Sequence, residues 1–332
     1  MGNGNRIDWR LPGVIALLLL GALGIAACGS SGEGGTSGGT EGKGVTLIAG
    51  DKGDEFYITM SCGAETVAKK DGMTLGFQEP AQFTPAQQTP IVNAVAAKSP
   101  AAVLIAPTDA KAMYAPIKQL AETGSKVIMV DTTLEDPSMA ASQVSTDDVQ
   151  GGKLAAQEMA KSIGGKGKVI VINLSPGVST TDARAEGFME EAEKLGLEPL
   201  PQQYAGESPE KAASIVQATL AANPDLAGIF ATTNFGEEGA VTGLQAQEKV
   251  GEVDVIGFDS APVQVKQLEE GSVQALIAQQ ARKIGELGVE QAVKSINGEK
   301  TEEDIEVPAV LVTKSNLSEP KVQDALQVEK CG

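Results

Sequence analysis

Short apolar runs alternate with stretches of helical periodicity along most of this chain, and that alternation limits the fold more than any other feature. The runs are 45–49, 74–77, 102–105, 126–130, 168–172, 228–231, 253–258 and 273–278. Several are almost wholly apolar, as strands covered on both faces must be. Between them, 85–97, 110–123, 151–163 and 181–195 carry apolar residues three and four apart, the period of an amphipathic helix. Strand and helix in strict alternation predict a parallel sheet with right-handed crossovers. With weaker runs included there are about ten candidate strands, more than one small sheet holds. The expectation is an α/β protein of two doubly wound parallel-sheet lobes. Local punctuation agrees: Ser208 before Pro209 reads as a cap and first turn, Asp109 before Ala110 as an N-cap, and Gly124 as a helix stop.

Open α/β sheets bind ligands beyond the carboxyl ends of their strands, so the residues at those ends are the candidates for function. Asp54, Phe56 and Tyr57 follow the first run, Asp131 and Thr132 the fourth, and Thr233 and Asn234 the run ending at Ala231. Asp259 follows 253–258, and Gln279 follows 273–278. Arg184 stands past the turn after Asn173. The polar side chains among them can all hydrogen-bond hydroxyl groups, the charged ones strongly. None is a nucleophile beside a base. The adjacent rings of Phe56 and Tyr57 are poorly placed for core packing and suit stacking on the apolar face of a sugar; a hydrophobic staple at a helix entry is the alternative.

The first residues give an address. Arg6 and Arg10 precede an apolar stretch with leucine at every position from Leu17 to Leu20, ending in Ile25-Ala26-Ala27-Cys28. This is the layout of a secretory signal and is short for a membrane-spanning helix. A bulky aliphatic residue, two small ones and a cysteine resemble the bacterial lipobox. That resemblance implies cleavage after Ala27 and lipid attachment to Cys28. Residues 28–44 are nearly all Gly, Ser, Thr and Glu, a composition that behaves as a flexible tether. The expected location is outside the cytoplasm, on the cell membrane through the lipid alone.

Composition removes several classes. The formal net charge of −18 repels phosphate backbones, so nucleic acid is not expected as a partner. The chain has no histidine, which excludes Ser-His-Asp and Cys-His catalysis and the commonest metal ligand. No metal-ligand or phosphate-loop motif occurs, and neither catalysis nor a cofactor is expected. With Cys28 assigned to lipid, Cys62 and Cys331 remain as a pair in an oxidising compartment, where a disulfide is expected; two free thiols are the alternative.

Taken together, these segments resemble the ribose-binding branch of the periplasmic sugar-binding proteins, whose fold is shared by the ligand-binding part of LacI-type repressors. The resemblance runs from about Val45 to Val312. It is carried by Asp54 to Tyr57, Val130-Asp131, Ser145 to Gly152, Ala183 to Phe188, Asn234 to Ala240, Gly257-Phe258-Asp259 and Ile277-Ala278-Gln279. It implies a clamshell with one lobe of 45–146 plus 280–306, a second of 147–279 plus 307–318, a three-segment hinge and a tail of 319–332. The family's stacking aromatics fall on Phe56 and Tyr57, its carboxylates on Asp131 and Asp259, and its arginine, asparagine and glutamine on Arg184, Asn234 and Gln279. Without a one-residue gap Thr233 takes the asparagine's place.

Three departures point away from ribose toward a polyol or another pentose. Thr132 stands where ribose binders carry arginine, Asp54 where they carry asparagine, and Ala205-Gly206-Glu207 where they carry a second-lobe aromatic. The implied function is a monomeric solute-binding lipoprotein that delivers a sugar or polyol to an ABC permease. A receptor for a sugar-like signal is the alternative. An extracellular carbohydrate-modifying enzyme is opposed by the missing histidine, and a repressor by the secretory signal.

Overall fold

The computed structural model describes residues 44–332. The expected signal segment, Cys28 and the Gly/Ser-rich stretch up to residue 43 lie outside the described residues. In chain order the elements are β1 (Gly44–Ile48), α1 (Glu55–Lys70), β2 (Thr74–Gln78), α2 (Pro85–Ala96), β3 (Ala102–Ile105), α3 (Tyr114–Glu122), β4 (Lys126–Val130) and β5 (Ser142–Thr146). Then come α4 (Asp148–Ser162), β6 (Lys168–Asn173), α5 (Ser179–Lys194), β7 (Glu198–Pro199), β8 (Gln203–Tyr204), α6 (Pro209–Ala222), β9 (Leu226–Ala231), α7 (Asn234–Ala246) and β10 (Asp254–Phe258). The chain finishes with α8 (Pro262–Glu270), β11 (Ala275–Ala278), α9 (Ala281–Ile296), β12 (Asp304–Val307), β13 (Val310–Val312) and α10 (Pro320–Ala325).

Two sheets result. The first has the order β12-β5-β4-β3-β1-β2 and is parallel throughout. The second has the order β13-β11-β10-β9-β6-β7, with β8 also paired to β6; only β13 is antiparallel. Both sheets are covered on both faces, which explains the near-continuous apolar runs. On one face of the first sheet, Met60 of α1 and Ile284 and Val289 of α9 pack on Leu47 and Leu104; on the other, Val92, Ile117 and Leu120 pack on Val103 and Ile105. Ala155 and Met159 of α4 and Phe188 of α5 cover one face of the second sheet. Residues of α6, α7, α8 and α10 cover the other. The chain passes between the sheets three times, from β5 to α4, from β11 to α9 and from β12 to β13. This is the type I periplasmic-binding architecture of two doubly wound lobes joined by three segments.

Local departures from the sequence reading have local causes. Asp109 does cap a turn, its Oδ1 accepting from the amides of Lys111 and Ala112 at 2.8 and 2.6 Å, but that turn does not continue and α3 starts only at Tyr114. Ser208 caps α6 as expected, accepting from the amide of Lys211 at 3.1 Å. Strands β5, β12 and β13 were not legible, because each gains its place only by pairing with a strand far away in sequence or across a long loop. The expected Cys62–Cys331 disulfide is present and ties α1 to the end of the chain.

Candidate functional site

Asp131 directly follows β4 and Asp259 directly follows β10, so one carboxylate issues from each sheet. Both residues hold a left-handed backbone, with φ of 64° and 80°. Such a conformation is costly for a residue with a side chain and persists where the surroundings impose it, most often at functional sites. The side chains are fixed as well. Tyr57 donates its hydroxyl to Asp131 Oδ2 at 2.8 Å, and Gln279 donates Nε2 to Asp259 Oδ1 at 2.7 Å. Gln279 in turn accepts from the hydroxyl of Thr146 at 2.7 Å, linking the end of β5 to the second sheet.

Arg184 reaches the same space from α5 and is almost fully buried. Its Nε donates to Asp148 Oδ1 at 2.7 Å and its Nη1 to the Thr232 carbonyl at 3.0 Å, while its guanidinium lies 3.8 Å from the centroid of Phe258. Asp148, at the start of α4, holds the arginine in one rotamer with the rest of the guanidinium free to donate. Asp54 caps α1 by accepting from the Phe56 amide at 2.7 Å. Thr233 caps α7, accepting from the Gly236 amide at 3.3 Å, and Asn234 Oδ1 accepts from Phe235 N at 2.8 Å.

These groups line one cavity: Asp54, Phe56, Tyr57, Asp131, Arg184, Thr233, Asn234, Asp259 and Gln279 all face it. Its volume, counted as room for water centres, is about 50 Å³. One water needs about 10–15 Å³ on that measure, so the space suits a single small ring rather than an oligomer. Thr132 is a correction. Its hydroxyl donates to the Pro107 carbonyl at 2.7 Å, and it faces a neighbouring cavity instead. Phe56 and Tyr57 also differ from expectation: their rings meet edge to face at 5.1 Å and pack into the first sheet's core while lining the cavity. Core packing and the ligand wall are here served by the same pair of side chains.

Sequence reasoning missed Asp51, Phe83, Glu207 and Phe235, which also line the cavity. Asp51 could have been found by the strand-end rule, since it follows closely on β1. Glu207 stands in the segment noted as lacking an aromatic; its Oε1 accepts from Phe83 N at 3.0 Å, a contact between segments 124 residues apart. Phe83 and Phe235 supply the ring surface that the Ala205-Gly206-Glu207 segment does not. No local signal marks Phe83, which lies in the loop before α2.

The cavity is rich in acid. Burial pushes Asp51 up to about 7, and the neighbouring Glu207 adds to the rise. Burial likewise holds Asp54 well above the usual carboxylate range, with Asp51 reinforcing it. Burial raises Asp131 to about 6, against the opposing pull of Arg184 and the Tyr57 hydroxyl. Such a set offers hydroxyl groups acceptors where the carboxyl groups are ionised, O–H donors where they are protonated, and one guanidinium donor. It contains no nucleophile–base pair, and no cluster of metal-ligating side chains occurs among the described residues.

The fold and the cavity define a class, the two-lobed binding proteins that close on a small solute, and comparison with known proteins agrees. A family model described as the periplasmic binding protein domain matches residues 45–300. The ribose import binding protein of Escherichia coli (strain K12) is 31% identical over 270 residues, covering 81% of this chain and 90% of that protein. The D-ribose/D-allose-binding protein of Pseudomonas aeruginosa is 26% identical over 286 residues, covering 81% and 88%. Among solved structures, an ABC transporter solute-binding protein of Agrobacterium vitis bound with alpha-D-tagatopyranose superimposes with a TM-score of 0.84 at 38% identity, covering 86% of this chain and 99% of that one. A second from the same organism, with bound D-fucose, gives 0.81 at 27% identity, covering 85% and 99%. This chain belongs to the periplasmic binding protein family.

Proposed function

We infer that this protein captures one monosaccharide or small polyol outside the cytoplasm and delivers it to an ABC permease. The observation that carries this reading is the convergence of Asp131 and Asp259, one from each sheet and both in the left-handed conformation, on a single cavity that Arg184 also lines. A ligand hydrogen-bonded by both carboxylates binds the closed arrangement of the lobes better than the open one, and so draws them together. The three interlobe segments act as the hinge. Asn234, Thr233 and Gln279 complete the polar wall, and Phe56, Tyr57, Phe83 and Phe235 provide apolar surface for the ring. The additional carboxyl groups of Asp51, Asp54 and Glu207, able to accept and, when protonated, to donate, favour a ligand with hydroxyl groups around most of its edge.

A thermal-shift panel tests the reading. D-ribose, D-allose, D-arabinose, D-tagatose, D-fucose and simple polyols are offered to the full chain, and at least one is expected to raise the unfolding midpoint by mass action on the folded state. Asp259→Ala is expected to abolish that shift. A panel with no shift at all would refute the sugar reading, and an undiminished shift in Asp259→Ala would refute the site.

The same reading places the mature protein on the membrane through lipid at Cys28, as a monomer. Mass spectrometry of the mature protein should find an N-terminal Cys28 carrying lipid. A mature N-terminus with an unmodified Cys28 would refute lipid anchoring. Among the described residues no helix is long and apolar enough to cross a membrane.

A further inference from the structure

The family match ends at residue 300, yet the last residues of the chain reach the edge of the ligand cavity. Helix α10 sets Val322 and Ala325 into the second sheet's core beside Val310 and Val312. Just beyond it the tail is pinned to the segment after β10: Ser260 Oγ donates to the Ala325 carbonyl at 2.9 Å, and Gln327 N donates to the Ser260 carbonyl at 3.2 Å. The Gln327 side chain is buried and donates Nε2 to Asp259 Oδ1 at 3.1 Å. One residue later the chain has crossed to α1, where Val328 N donates to Thr59 Oγ1 at 2.8 Å, and Cys331 bonds to Cys62.

We propose that the C-terminal tail is part of the binding site, with Gln327 as a positioning residue that fixes the Asp259 carboxylate and the Cys62–Cys331 bond holding the tail in place. The proposal rests on the reading of the cavity as the ligand site. Its chemistry is simple. Two amide donors, from Gln279 and Gln327, converge on the same oxygen, Asp259 Oδ1. Together they fix the rotation of the carboxylate and leave Oδ2 without a protein donor among the described residues, available to a ligand hydroxyl. A carboxylate held in its bound orientation beforehand loses less freedom on binding. The orientation of Gln327 follows from charge, since its own oxygen would repel Asp259. That oxygen, Oε1, is left buried without a partner among the described residues, a cost seldom accepted in a purely structural side chain.

The tail also makes a fourth connection between the lobes. From Gln327 to Cys331 the chain spans about 13 Å when extended. This lets the hinge open while keeping Gln327 tethered near Asp259. The tail is therefore a leash rather than a lock.

The test uses the full oxidised chain and calorimetric titration with D-ribose, D-allose, D-arabinose, D-tagatose and D-fucose. Gln327→Ala should bind whichever sugar the parent binds about tenfold more weakly, the usual consequence of losing a hydrogen bond to a charged group. Gln327→Glu separates positioning from packing. At pH 8 it sets a second carboxylate against Asp259 and should bind more weakly than Gln327→Ala. Near pH 5 the introduced carboxyl group, once protonated, donates as the glutamine amide does. Affinity relative to the parent should then recover, with no such recovery in Gln327→Ala. Parental affinity in Gln327→Ala, or a loss in Gln327→Glu that ignores pH, would overturn the proposal. A ligand-free arm compares amide exchange in the parent and in Cys62→Ala/Cys331→Ala. Faster exchange over 258–261 and 325–331 in the variant supports the tether, and equal exchange refutes it. If no sugar binds the parent, the sugar reading falls while this arm still decides whether the disulfide holds the tail against the Asp259 segment.

Discussion

The contact between α4 and α5 places Arg184, and Gly152→Ala probes it directly. A Cβ at Gly152 would stand 2.1 Å from the carbonyl oxygen of Arg184 and 2.8 Å from Phe188 N. The approach is reciprocal, because a Cβ at Gly187 would stand 2.1 Å from the Val149 carbonyl oxygen. These are backbone atoms on both sides and cannot rotate away, so the helices must part by roughly an ångström to reach ordinary contact. Overpacking of this kind costs about 1–3 kcal/mol. Against it stands the gain of about 0.5–1 kcal/mol expected for replacing glycine by alanine within a helix. The net is a destabilisation centred near 1 kcal/mol and reaching at most about 2.5 kcal/mol, the central value corresponding to roughly 2–4 °C in the unfolding midpoint. Gly76→Ala is the control: its added Cβ meets nothing nearer than Thr46 Oγ1 at 3.4 Å, and its midpoint should hold or rise slightly. Thermal and urea unfolding of the ligand-free protein measure both. The sign decides the matter. A Gly152→Ala protein as stable as the parent, or more so, would show that close backbone packing does not hold α5, and with it Arg184, in place. The same displacement should weaken sugar binding, since it draws the Arg184 guanidinium away from Asp148 and the cavity.

Two further outcomes concern pH and redox state. Asp51, Asp54 and Asp131 bind protons more tightly in the folded protein than in the unfolded chain. Their contribution to stability is thus full below the unfolded carboxylate value of about 4 and is lost as pH rises through their folded values, about 6 for Asp131 and about 7 for Asp51. The ligand-free midpoint should fall by several degrees between pH 5 and pH 8, since each tenfold difference in proton affinity is worth about 1.4 kcal/mol. Asp51→Asn should flatten that fall; a midpoint that rises with pH, or a variant that tracks the parent, would contradict the assignment. The disulfide joins residues 269 apart in sequence, and its removal by Cys331→Ser or reductant should cost about 2–4 kcal/mol through the freer unfolded chain. An unfolding midpoint indifferent to reductant would contradict this.

The sequence by itself determined the layered architecture. The parallel strands at the centre of each sheet had to be apolar throughout to be buried on both faces, and the helices between them had to show an apolar stripe. Both signals are local and survive in one dimension. The strand-end rule then carried Asp131, Asp259, Asn234 and Gln279 to the cavity, because in a doubly wound sheet the residue after a strand has few other places to be. What lay beyond reach was set by contacts between distant segments. Thr132 follows its strand as Asp131 does, but its side chain turns to the Pro107 carbonyl. Phe83 and Glu207 meet only once the two lobes are assembled. The edge strands β12 and β13 take their places from partners in opposite sheets. Above all, Gln327 lies 68 residues from the aspartate it holds, and nothing in its own surroundings marks it. Local pattern encodes which face of an element is buried, whereas the pairing of polar groups across lobes is a property of three-dimensional proximity, which the folded chain alone supplies.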